Sequence, residues 1–271
     1  MGLRVNTNIA SLTAQRNLGA VSGRLQGNYA RLSSGLRIAN ASDDAAGLGI
    51  SERMRSQIKS FGQAGRNAQD GISLVQTAEG ALGEVSNILG RMRELAVQAA
   101  NGTLTTDDRS TINTEFTALT SEIERIADET EFNGVSLLNA AATTNIQVGV
   151  DSGQVIAIEV DDMQTAALAI ADDDVTSAAN ANTALAAIDA AIGTVNTQRG
   201  NFGASINRLQ SAYSSIQNVG ENLSAAESRI RDVDVAFETA DLTRNSIMQQ
   251  AATSVLAQAN SQPQLALSLL G

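Results

Sequence analysis

The stretch Ile188–Ala240 reads IDAAIGTVNTQRGNFGASINRLQSAYSSIQNVGENLSAAESRIRDVDVAFETA. Ile188, Val195, Phe202, Leu209, Ile216, Leu223, Ile230 and Phe237 stand seven residues apart without a miss. Ala191, Gln198, Ser205, Ala212, Val219, Ala226, Val233 and Ala240 fill the fourth place of each heptad. Such a repeat draws a narrow apolar stripe along a long helix, the seam of a coiled coil. The run covers about 50 residues, roughly 75 Å of helix. That length predicts an elongated rod with a packing partner along the seam.

The partner is expected within the same chain. Phe61, Ala68, Val75, Leu82, Leu89 and Ala96 form a second heptad row, with Ala78, Val85 and Met92 between them. Ile112, Phe116, Leu119, Ile123 and Ile126 form a shorter stripe, and Leu18, Val21, Leu25 and Leu32 another near the N-terminus. Ser42-Asp43-Asp44 and Thr106-Asp107-Asp108 place capping groups and negative charge at helix starts. Asn101-Gly102 and Asn133-Gly134 read as helix stops. The expected fold is mainly α: a long antiparallel bundle in which 45–100, 106–130 and 183–235 pack side by side. Val75, Leu82, Leu89, Leu209, Ile216, Leu223 and Ile230 are the expected intramolecular seam. Gly193, Gly200, Gly203 and Gly220 weaken the longest helix by about 1 kcal/mol each relative to Ala. They point to a break near 199–203.

One segment departs from helical spacing. Residues 145–150 alternate, Asp151-Ser152-Gly153 forms a turn, and 154–160 alternate again, so 145–160 reads as one β-hairpin. The acidic, Ala/Asn/Thr-rich stretch 161–182 is expected to be exposed.

Composition narrows the function. Net charge is −11, which argues against nucleic-acid binding. Residues 140–198 hold eight acids and no Lys or Arg. With no His and no Cys, the chain lacks the residues for imidazole catalysis, disulfides and ordinary zinc sites. No catalytic residue, metal ligand or cofactor is expected. No apolar run is long enough to span a membrane. Residues 1–20 do not read as a cleavable secretory signal.

Both ends are amphipathic but short of large apolar residues. Leu18, Val21, Leu25, Leu32, Met248, Val255 and Leu256 mark faces that need outside partners. Residues 1–40 and 240–271 are therefore expected to become helical on packing against other copies, which points to a homopolymer.

Several separated motifs identify the chain as similar to bacterial flagellins. They are Arg4-Val5-Asn6-Thr7-Asn8, the run from Arg31 through Leu36 and Asp43-Asp44 to Leu48, and Asn67 to Ser73 continuing into Thr77–Leu82. Further matches are Arg93-Glu94-Leu95, Phe132-Asn133-Gly134, and Ser254 to Asn260 with Leu265 to Leu270. The resemblance implies a structural subunit of the flagellar filament. Residues 1–44 and 236–271 would form its terminal coiled-coil domain, and 45–235 a helical core domain. Only 161–182 stands where many flagellins insert outer domains. The resemblance further implies an extracellular filament, export by the flagellar type III apparatus, a chaperone on the C-terminal helix, and cap and junction partners. It places contacts to a flagellin-sensing Toll-like receptor at Arg91, Leu95 and Glu115; the first two are four apart and expected on one helix face. Gly271 departs from the basic ending common in the family.

Two other readings stay open: a hook–filament junction protein and a secreted helical interaction protein. Protease activity, carried by some relatives, needs a His-Glu-x-x-His motif this chain cannot supply. Asp172-Asp173-Asp174 lacks the spacing of a calcium loop and reads as solvated surface. Ser56-x-x-Lys59 sits on a helix without its companion motifs. Gly47-Leu48-Gly49 lacks the third glycine and preceding strand of a dinucleotide loop. Asn101-Gly-Thr103 is better explained as a helix stop. Thr143, Thr144, Thr165, Thr176 and Ser177 are candidate O-glycosylation acceptors.

Overall fold

A computed structural model describes residues 7–268, with side chains through 262. Arg4, Val5, Asn6 and Gly271 lie outside the described residues, as do the side chains of Leu265 and Leu267. The element order is α1 (Ile9–Ser34), α2 (Ala45–Ala99), α3 (Thr106–Glu129), β1 (Glu131–Phe132), β2 (Val135–Ser136), β3 (Ala142–Gln147), β4 (Val155–Val160), α4 (Ala178–Arg231) and α5 (Val235–Ser268). The chain forms two compact units, residues 57–221 and residues 1–56 with 222–271. The dividing points fall inside α2 and α4, away from the helix interruptions beside 45 and 235.

In the unit 57–221, the heptad rows meet as expected. Val75, Leu82 and Leu89 from α2, Phe116 and Ile123 from α3, and Ile188, Val195, Phe202 and Leu209 from α4 are all fully buried in one core. Ile216 joins the buried set. Burying each such side chain contributes about 1.5–3 kcal/mol, which offsets the poor propensity of the interspersed glycines. The expected break near 199–203 is accordingly missing, and α4 runs unbroken through Gly200 and Gly203. Gln198 and Phe202 are both buried there, and the Gln198 amide donates to the Glu159 carbonyl at 2.8 Å. The seam holds the helix where propensity alone would not.

The helix starts match their sequence signals. Thr105 and Asp108 form a reciprocal capping box on α3. The Asp44 carboxylate accepts from Gly47 N at 2.9 Å at the start of α2. The Asn133-Gly134 reading needs correction. α3 ends at Glu129, and Asn133-Gly134 is the turn of a second, short hairpin pairing Phe132 with Val135. Both residues have positive φ, 52° and 75°, as a primed two-residue hairpin turn requires. The main hairpin is also longer on one side than expected. β3 begins at Ala142, Gln147 pairs with Val155, and 148–150 belong to the connection.

The exposure expected of 161–182 holds only in part. Met163, Ile170 and Val175 are fully buried, and α4 already begins at Ala178. Asp161 and Asp172 stay outside while these apolar anchors point in. Side chains of α3 hold the segment. Glu124 accepts from Thr165 N at 2.8 Å and from its hydroxyl at 2.5 Å, and Asn113 accepts from Val175 N at 2.9 Å. Thr165 is thereby buried and hydrogen-bonded, which removes it from the glycosylation candidates. Asp174 accepts from Thr176 and Asn180, and these bonds hold its carboxyl below the usual range.

In the other unit, α1 and α5 pack closely and antiparallel. The heptad row does not run on to Phe237. α4 stops at Arg231, residues 232–234 break the helix, and the Asp234 carboxylate restarts it by accepting from Ala236 N and Phe237 N. Phe237 is 65% exposed. Leu223 and Ile230 are half-buried.

Candidate functional site

No group of three or more His, Cys, Asp and Glu among the described residues is placed to hold a metal ion. No described helix is long and apolar enough to cross a membrane. The features that carry function are surfaces, and the first is the terminal helix pair.

Ser11, Ala14, Leu18, Val21, Leu25, Asn28 and Leu32 follow alternating spacings of three and four along α1. Glu238, Leu242, Asn245, Gln249, Ala252, Leu256 and Ala259 do the same along α5. Every one of these positions is buried or half-buried, so the pair is a heptad-based antiparallel coiled coil. Leu18, Val21, Leu25, Leu32 and Leu256, expected to need outside partners, lie in this seam, and Met248 is half-buried beside it; the polar members of both rows are not legible from apolar spacing. Counting heptad places regardless of polarity would have found them. Val255 is 59% exposed on the outside of α5, one residue from the seam, and stays without a partner in the chain.

Polar groups bridge the pair at several levels. Asn8 donates to the Ala259 carbonyl at 2.7 Å, and the Ser11 hydroxyl to Asn260 Oδ1 at 2.6 Å. Further along, Glu238 Oε1 accepts from Asn28 at 2.5 Å and from Arg31 Nε at 2.9 Å. Asn245 donates to Asn28 Oδ1 at 2.7 Å. Outside the seam, Ile9, Leu12, Val235, Phe237, Ile247 and Val255 leave large apolar groups exposed. The expectation that each end finds packing only on other copies is therefore modified. Each terminal helix has its first partner in the same chain, and the exposed set remains uncovered.

The second surface lies on α2 and α3. Arg91 Nη2 meets Glu115 Oε1 at 2.8 Å, and Arg91 Nη1 meets Glu94 Oε2 at 3.0 Å. The Glu115 bond, then that to Glu94, raises the guanidinium's proton affinity further. Leu95 does not join them: it is 2% exposed and lies in the core. Four residues advance a helix by about 40° more than one turn, enough to carry Leu95 inside while Arg91 stays at the edge. Nearby, Arg93 forks onto Asp189 of α4 at 2.6 and 3.4 Å, which lowers that carboxyl's pKa.

The chain matches two family models, the bacterial flagellin N-terminal helical region over residues 5–143 and the bacterial flagellin C-terminal helical region over residues 185–270. The chain belongs to the bacterial flagellin family. A flagellin of Halalkalibacterium halodurans is 49% identical over 98% of this chain and 99% of its own length. A Bacillus subtilis flagellin is 45% identical over 99% of this chain and all of the relative. A 30.7 kDa flagellar filament core protein of Treponema maltophilum is 41% identical over 98% of this chain and 99% of its own. The crystal structure of Bacillus cereus flagellin superposes with a TM-score of 0.51 at 37% identity, covering 60% of this chain and 94% of that one. This flagellin is a structural subunit that self-assembles into the bacterial flagellar filament, an extracellular assembly. Relatives matched end to end favour that role over a junction protein or a secreted ligand.

Proposed function

We propose that the α1·α5 pair, within a terminal domain of residues 1–44 and 236–271, is the layer through which copies assemble, with 45–235 as a separate core domain. The observation that carries this reading is the outer face of the pair, where Ile9, Leu12, Phe237, Ile247 and Val255 stand exposed around a seam already satisfied within the chain. Exposed large apolar groups in such number on one helix pair mark an interaction surface. Docking of further copies covers them, and the hydrophobic gain offsets the entropy of ordering each subunit. Ile247→Asp or Val255→Asp leaves the monomer's circular dichroism unchanged and blocks salt-induced polymerisation. Filaments of normal yield from both variants would refute the assignment.

The same exposed face of α5 suits a chaperone that holds the chain soluble before type III export, and cap and junction proteins that meet it at the filament ends. The Arg91–Glu115 pair is proposed as the charged part of a host Toll-like receptor epitope, supported by its exposure and by the motif around it. Leu95, being buried, is assigned to the core. Monomer carrying Arg91→Ala with Glu115→Ala stimulates receptor-bearing cells less than the parent. Equal potency sinks this reading.

A further inference from the structure

Asn28, Glu238 and Asn245, with Arg31 at the edge, sit inside a seam whose other places are mostly Leu, Val or Ala. Asn28 is 2% exposed, Glu238 6% and Asn245 8%. Burying three polar side chains in a two-helix seam adds little net stability, because desolvation cancels most of the hydrogen-bond gain. Their geometry, however, works in one alignment. Glu238 Oε1 takes both the Asn28 amide at 2.5 Å and Arg31 Nε at 2.9 Å, and Asn28 Oδ1 takes the Asn245 amide at 2.7 Å.

We infer that this cluster is a register key: it selects one alignment of α1 against α5 from those that the heptad repeat would otherwise allow. Both seams repeat every seven residues, so a slip of one heptad again sets seam against seam. Slipping one way leaves Asn28 between Asn245 and Ala252 and carries the Glu238 carboxylate away from Asn28 and Arg31 toward Gly35; slipping the other way leaves Asn28 with Glu238 and brings Asn245 level with Val21. Neither Gly35 nor Val21 has a side-chain hydrogen-bonding group. A buried carboxylate or amide then loses its partner, which disfavours the slipped state on the order of tenfold or more. A single polar pair at seam positions is the best-attested device for fixing register in coiled coils. The apolar layers around it, Leu18, Val21 and Leu25 against Leu242, Ala252 and Leu256, are similar enough to tolerate a slip. The key therefore protects the one subunit shape that a regular filament repeats. The inference goes beyond the assembly reading, because register is a property of the single chain.

Disulfide trapping tests it, since the chain has no Cys of its own. Ser11→Cys with Asn260→Cys reports the native register, where these side chains touch at 2.6 Å. Ser11→Cys with Thr253→Cys, and Leu18→Cys with Asn260→Cys, report the two slips. Each pair is placed in the parent and in the triple variant Asn28→Leu, Glu238→Leu, Asn245→Leu, and oxidised as monomer and as filament. In the parent only the native pair cross-links. In the triple variant the native product persists and slip products rise by about tenfold or more. A second variant, Glu238→Gln, keeps a carbonyl acceptor for Asn28 and Arg31 and retains the single register. Native product alone from the triple variant overturns the inference. So does loss of every cross-link, which would make the cluster a stability element, and so does slippage in Glu238→Gln equal to the triple variant. Failure of polymerisation with slip products present bears on the assembly face and leaves the register key standing.

Discussion

Glu124→Leu tests whether the acidic segment 161–177 is held in place by α3. In the parent, Glu124 Oε2 accepts from Thr165 N at 2.8 Å and from Thr165 Oγ1 at 2.5 Å. The hydroxyl can rotate toward another acceptor, but the backbone N–H has a fixed direction and lies in a buried residue. Stranding it costs about 1–3 kcal/mol, and loss of the charge-assisted hydroxyl bond adds to that. Glu124 is itself only half-buried, and water entering from its side lowers the sum, so about 2 kcal/mol is expected. For a unit of this size that is a fall of about 4–8 °C in Tm. Glu124→Gln keeps an acceptor and loses less than half as much. The assay is calorimetry of the monomer, paired with limited proteolysis across 161–177. The parent resists cleavage because Met163, Ile170 and Val175 are buried; Glu124→Leu is nicked there first. Unchanged Tm and unchanged proteolysis in Glu124→Leu would show that the apolar anchors alone suffice and would refute this account.

Burial, then the charges of Asp174 and Asp172, push the Asp173 carboxyl above its ordinary value of 3.8. A raised folded-state pKa means the ionised form weakens the fold, so the penalty is fully present at neutral pH, fades as pH falls through the raised folded-state value, and is gone below the ordinary value of 3.8. Asp173→Asn thus raises Tm at pH 7 and loses that advantage under acid conditions; a gain of equal size at both ends of the pH scan argues against it. A Cβ on Gly47 would lie 2.5 Å from the Asp44 carboxylate and 2.8 Å from Ile38 Cδ1. Gly47→Ala therefore disturbs the cap of α2 and costs about 1–3 kcal/mol net of the helix-propensity gain. Gly193→Ala meets nothing within 4 Å and stabilises by up to about 1 kcal/mol, a contrast read from denaturant midpoints. Leu82→Ala, at a fully buried place, costs about 2–5 kcal/mol, whereas Leu223→Ala on its half-buried stretch costs about half of that or less.

The long helices were legible because their apolar period is repeated many times over, so that Val75, Leu82, Phe202 and Leu209 each agree with their neighbours. The readings that failed share a different cause. Gly200 and Gly203 suggest a break from propensity alone, but Phe202 and Gln198 are held by tertiary contacts that local sequence does not display. Asn133-Gly134 has the same two letters whether it stops a helix or turns a hairpin; the pairing of Phe132 with Val135 decides, and short strands give little period to read. The segment 161–177 looked solvated because its acids outnumber its anchors, and nothing in its spacing announces that Met163 and Val175 face a core. Leu95 failed on rotation: about 40° in about one turn separates inside from outside on a helix. The buried amides of the terminal pair add nothing to an apolar period, so hydropathy spacing does not display them.

Gly35, Arg37 and Ile38 leave α1 beside the residues that link α4 to α5. Arg37 N donates to the Arg231 carbonyl at 2.7 Å, Val233 N donates to the Gly35 carbonyl at 3.0 Å, and Leu36 bridges Asp232. The two terminal helices are thus tied at the seam and again by main chain where each leaves it. Twist applied to α5 must pass into α1 through bonds that no side-chain substitution removes. Under any twist this lashing makes the pair turn as one shaft with two strands, and the joint survives whatever side chains vary along the seam.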